Sequence, residues 1–120
     1  MPREPRAFLW DAHRAGTAIA DFTRGKTFDD FARDLLLRSA VERQFEIIGE
    51  SLGQLAKAHP AVAAKVPNLR RIIAFRNILV HGYTIIDRET VWRVIQESLP
   101  ELLAVLAGLL ASDPDSSVQE

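Results

Sequence analysis

The stretch Arg76-Asn77-Ile78-Leu79-Val80-His81-Gly82-Tyr83 places a permanent cation, an amide, an imidazole and a phenol within eight residues. An imidazole titrates near neutral pH, whereas a guanidinium stays charged and grips phosphate with a planar fork. The combination suits phosphodiester chemistry, with histidine moving protons and arginine holding the anion. Ile78 to Val80 separate the two groups and are expected to anchor the segment in a core, with the polar groups at its rim.

On an ideal helix Asn77 and His81 share a face, offset by about 40°, while Arg76 and His81 stand about 140° apart and about 7.5 Å along the axis. A long arginine can reach round if the helix ends near Gly82, or the two groups can meet across an interface with a second chain. The same letters also fit an ordinary helix ending, because a protonated histidine favours the negative end of the dipole and glycine supplies a left-handed residue. Chemistry and spacing leave both readings open.

The elements that must position these groups are helical. The chain has 120 residues, 48% hydrophobic and 26% charged, which fits a single soluble domain over residues 1–120. A net charge of −1 confines any nucleic-acid site to a local basic patch. Absence of cysteine excludes disulfides and thiolate metal sites, and His13, His59 and His81 lack metal-ligand spacing. No metal or cofactor is expected. The N-terminus has no apolar leader, and the longest apolar run, Leu102 to Ala111, is too short to span a bilayer. A cytoplasmic protein is expected.

Apolar periodicity predicts a first helix from Arg6 to about Thr23, using Leu9, Trp10, Ala12, Ile19 and Phe22, with Gly25 as its stop. Thr27 caps a second, which should run unbroken to about Ala58 as the spine of a bundle. Its inward set includes Phe31, Leu35, Leu36, Val41, Phe45, Ile48, Leu52 and Leu55; Arg33, Arg38, Glu42, Arg43 and Glu46 are assigned to a solvated face. Gly49 permits close approach of another helix, and Glu50 beside it is placed to brace Arg76 or to form an exposed ion pair of its own. After a short connector, Asn68 caps a helix from Leu69 to about His81, with Ile72, Ile73, Phe75 and Leu79 inward. Arg70 and Arg71 in its first turn oppose the dipole, a local conflict that points to a partner or an anion. Residues 82–86 form a loop presenting Tyr83. Asp87 caps a last helix to about Leu110, kinked or split at Pro100, and residues 112–120 form a polar tail. The architecture expected is all-α, an antiparallel bundle of four or five helices.

The ordered landmarks resemble the HEPN superfamily, specifically its HepT-like branch with an Arg-x4-His-x-Tyr motif, here Arg76, His81 and Tyr83. The likeness extends upstream through Ile47-Ile48-Gly49-Glu50 and downstream through Ile86-Asp87 and Val91-Trp92 to Leu99-Pro100, about residues 8 to 110. Asn68 follows Pro67 where members of the family often carry a nearby tryptophan, which is expected to alter packing and not chemistry. The resemblance implies a metal-independent ribonuclease toxin of a toxin–antitoxin pair, with Arg76 and His81 as catalytic residues. Its partner would be a minimal nucleotidyltransferase of the MNT type that transfers AMP to Tyr83. RNA cleavage by the 2′-hydroxyl needs a base and an acid, and one motif offers one histidine, so an isologous homodimer with its third helices near the axis is expected. Asn77 then fixes the imidazole or donates to phosphate. A non-catalytic subunit that binds nucleotide or partner, and a purely structural dimeric bundle, are the competing readings.

Overall fold

The computed structural model describes residues 3–81 and 87–112; at His81 the description is of the backbone. Those residues form helices and connecting turns, with no strand among them. Helix α1 (Pro5–Thr23) opens on a proline in its first turn, where the missing N–H is no loss, and the chain turns away at Gly25, whose φ of +74° favours glycine. Its buried stripe is Phe8, Leu9, Ala12, Ala15, Gly16 and Ile19. Trp10 and Phe22, expected inward, lie off that stripe and are exposed.

The spine is interrupted. Helix α2 (Phe28–Arg33) begins at Thr27 with a reciprocal capping box, and α3 (Leu35–Ala58) begins afresh at Asp34. In the box, Asp30 accepts from the Thr27 backbone N–H at 2.9 Å, and that bond, with the one from the Thr27 hydroxyl, holds the Asp30 carboxyl below its ordinary range. Asp34 accepts from the Leu37 N–H at 3.1 Å, so it works as an N-cap and resets the helical phase. The reset corrects the expected inward set: Leu37 takes the core position, while Leu35 and Leu36 are 68% and 80% exposed.

Beyond α3, the chain makes one short turn, α4 (Pro60–Ala63), and folds back as α5 (Leu69–His81), which packs on α3. Asn68 enters α5 at φ +61°, a left-handed conformation that asparagine tolerates, and its carbonyl takes the Ile72 N–H at 3.1 Å. Ile72, Phe75 and Leu79 pack half-buried against the core. Ile78 and Val80, expected to anchor the motif, are exposed instead.

The last helical stretch starts at Asp87, which accepts from the Glu89 N–H. It runs as α6 (Arg88–Arg93), a wider π turn (Val94–Ser98) and α7 (Leu99–Ala111), with Pro100 in the first turn of α7. The backbone stays helical on both sides of Pro100, so the helix is not split there; the turn just before the proline widens instead. The run expected to be too short for a bilayer is part of 24 residues, Arg88–Ala111, that by length and apolarity could cross one. Here it behaves as a bundle helix: Val91, Ile95, Leu99 and Leu106 are buried, Leu99 and Leu103 close on Gly16 of α1, and Trp92 stacks on Phe31. Arg6 of α1 donates to the Leu110 carbonyl at 2.8 Å, so the start of α1 lies beside the end of α7.

Candidate active site

Two packing contacts place Arg76. A Cβ built on Gly49 would lie 2.1 Å from Arg76 Cβ and 2.4 Å from its Cγ, so the arginine stem rests directly on the α3 backbone. Beside it, Phe45 and Phe75 meet edge to face at 5.2 Å between centroids, fixing α5 on α3. The expectation that Gly49 admits a second helix is thus met by the helix that carries the motif.

The guanidinium then spans two polar neighbours. Its Nη1 donates to Asn77 Oδ1 at 3.2 Å, and its Nη2 stands 4.0 Å from Glu50 Oε2. A charge-assisted N–H···O bond closes to about 2.7–2.9 Å, so Glu50 attracts the cation without forking onto it. The Arg76 side chain remains 30% exposed. Among the described residues its Nε is buried without a partner, a condition that costs about 1–3 kcal/mol in general. The guanidinium is thus part-exposed and held between an amide and a carboxylate.

His81 is the last residue of α5, five positions beyond Arg76 and four beyond the exposed Asn77. The modification candidate Tyr83 and the loop expected to present it lie outside the described residues. Arg76, Asn77 and Glu50 are thus brought together, with His81 at the end of the same helix. Among the described residues no group of three or more acidic or histidine side chains could hold a metal ion.

Glu42, Glu46 and Arg38, expected on a solvated face, are half-buried. The spacing of Glu42 and Glu46 with Gly49, at four and three residues, puts them on the stripe that faces α5, and this angular position was the available signal. Burial pushes the Glu42 carboxyl up; Arg38 pulls against that and Glu46 adds to it. Arg33 and Arg43 are exposed, as expected.

Residues 13–108 match the family described as ribonuclease HepT-like. A probable ribonuclease HepT from Thermococcus cleftensis is 31% identical over 102 residues, covering 85% of this chain and 92% of its own. A Methanocaldococcus jannaschii protein named "Putative RNase" is 34% identical over 121 residues, covering 97% and 99% of the two chains. Another of that name from the same organism is 30% identical over 102 residues, covering 83% and 91%. No solved structure matches the chain significantly.

Proposed function

Because the chain belongs to the ribonuclease HepT-like family, we propose that it is a metal-independent endoribonuclease in which Arg76 and His81 act on one phosphodiester. The observation that carries this reading is the seating of Arg76 over Gly49. Asn77 and Glu50 hold its guanidinium near solvent, on the helix that ends at His81. In the reaction, a ribose 2′-hydroxyl attacks the adjacent phosphorus while its proton passes to a neutral imidazole. The bond from phosphorus to the 5′ oxygen breaks, and an imidazolium returns a proton to that oxygen. The products are a 2′,3′-cyclic phosphate and a 5′-hydroxyl. Arg76 binds the non-bridging oxygens and offsets the charge that grows on them.

Base and acid come from the two His81 residues of an isologous homodimer, which also doubles the arginine clamp. The apolar surface that one chain leaves open supports this: Ile78 and Val80, each 43% exposed, lie within the motif. The dimer is the toxin of a toxin–antitoxin pair, in the cytoplasm. Its partner, an MNT-type nucleotidyltransferase, neutralises it by transferring AMP from ATP to the Tyr83 oxygen: the phenolic oxygen bonds to the α-phosphorus, the phenolic proton is lost, and pyrophosphate leaves as the anhydride bond breaks. The added negative charge repels an incoming RNA backbone.

Purified protein incubated with single-stranded RNA and a chelator tests the chemistry. Cleavage leaving cyclic phosphate ends is expected, with a loss of at least about 10²-fold in His81→Ala and in Arg76→Ala. Full activity in His81→Ala would sink the assignment.

A further inference from the structure

Helix α5 carries two arginines that the reaction above leaves unused. Arg70 and Arg71 stand in its first turn, both exposed. Neither has an ion pair, hydrogen bond or ring contact among the described residues, and Arg93 shares that condition. Nine other arginines are each engaged by a carboxylate, an amide, a backbone carbonyl or a ring. Two cations at the positive end of a helix are mildly unfavourable for folding. Helix α2 shows the opposite and favourable choice, with Asp29 and Asp30 in its first turn, whereas the first turn of α5 has no acid.

The register gives this placement a direction. Arg70, Ala74, Asn77 and His81 follow one another at intervals of four, three and four residues, which keeps them within about 60° around the axis, with Arg71 about 60° beyond one edge of that track and Arg76 about 100° beyond the other. Arg70, Ala74 and Asn77 are exposed, and the opposite side of α5 carries Ile72, Phe75 and Leu79 against the core. Ala74 contributes only a methyl group between the arginine and the amide, leaving a low track along the helix. Arg70 stands about 10 Å before Asn77 along that track. An extended strand covers such a distance in about two nucleotide steps.

We propose that Arg70 and Arg71 form a second phosphate-binding subsite. It holds single-stranded RNA a few nucleotides away from the bond cut at Arg76 and His81. The inference rests on the endoribonuclease reading and adds to it the length of strand engaged. A guanidinium fork suits phosphate oxygens, and each phosphate neutralised releases counterions, so the contribution is independent of base sequence and sensitive to salt.

The test uses the full chain and a fluorescent single-stranded RNA whose 2′-hydroxyls are blocked as methyl ethers, so that it binds without being cut. Anisotropy titrations across a salt series are expected to show the slope of log K against log salt shallower by about 0.7 in Arg70→Ala and in Arg71→Ala, and by about twice that in the double variant. Arg70→Lys keeps the slope, since it keeps a point charge. In cleavage of an oligonucleotide the double variant raises KM several-fold with kcat little changed, and on a dinucleotide it is silent. Thermal melts of both alanine variants should equal or exceed that of the unaltered chain, because a charge opposed to the dipole has been removed. An unchanged salt slope, an equal loss on the dinucleotide, or no binding by the unaltered chain overturns the subsite. Arginine-dependent binding without any cleavage instead supports the subsite and sinks the endoribonuclease reading; cleavage with an unchanged slope does the reverse.

Discussion

Gly49→Ala offers the sharpest perturbation of the site. The new methyl carbon would lie 2.1 Å from Arg76 Cβ and 2.4 Å from Cγ. Carbon atoms in contact sit about 3.5–4.0 Å apart, so the two helices must part locally by on the order of 1 Å. The clashing atoms are the root of the arginine and not its flexible tip, so α5 itself has to move. Overpacking of this kind costs about 1–3 kcal/mol, against which alanine returns up to ~1 kcal/mol of helix propensity. An approach as close as 2.1 Å belongs in the upper part of that range, so the net loss of about 1–2 kcal/mol lowers the melting temperature by roughly 4 °C per kcal/mol in a chain of this size. Activity should fall further, because an ångström of misplacement at a reacting group costs on the order of 10²-fold. Gly53, one turn along α3, is the internal control: a Cβ there meets nothing within 4 Å among the described residues. Gly53→Ala should stabilise the fold by about 0.5–1 kcal/mol and leave cleavage intact. Thermal melts paired with cleavage rates, measured well below the transition, separate the two effects. A Gly49→Ala protein as stable as the parent would refute the packing argument, and one equally active would refute the role given to the seat of Arg76.

Two further outcomes follow from the same geometry. Burial pushes the Glu42 carboxyl up, so in the window just above the ordinary glutamate value the native state binds more proton there than the unfolded chain; its contribution to stability is present at low pH and is lost as pH rises through that window. Glu42→Gln should therefore raise the melting temperature at pH 7 and flatten its dependence on pH above about 4, and an unchanged profile would remove that carboxyl from the account. Ile78→Asp places a charge on the exposed apolar surface of α5. Analytical ultracentrifugation should show a monomer with RNA cleavage reduced by at least about 10²-fold, and an unaltered dimer with full activity would move the interface elsewhere.

How far the sequence carries can be judged residue by residue. Thr27 and Asp87 are legible as caps because a cap is a local hydrogen bond made within three residues. The close approach at Gly49 and the nearness of Glu50 to Arg76 are legible because only glycine leaves room for a second backbone there. The break at Asp34 is not, since it lies inside an apolar period that continues on both sides. One residue spent as a cap rotates everything after it and turns Leu35 and Leu36 outward. The half-burial of Glu42 and Glu46 is not legible from their charge, because it follows from their angular position on the stripe of Gly49. The exposure of Ile78 and Val80 was hidden for a related reason: a run of aliphatic residues says nothing about which helix face has a neighbour.

The π turn at Val94–Ser98 has a consequence for how this chain can vary. Val91, Ile95 and Leu99 are all buried and recur every fourth residue, a step that oversteps an α-helical turn by about 40° and would carry the third of them well round the cylinder. A broader coil absorbs that drift and returns Leu99, and Leu106 after it, to the interior. The count of amino acids here acts as a gear ratio. Removing a single one would swing all of α7 by about 100° and present its inner leucines to water.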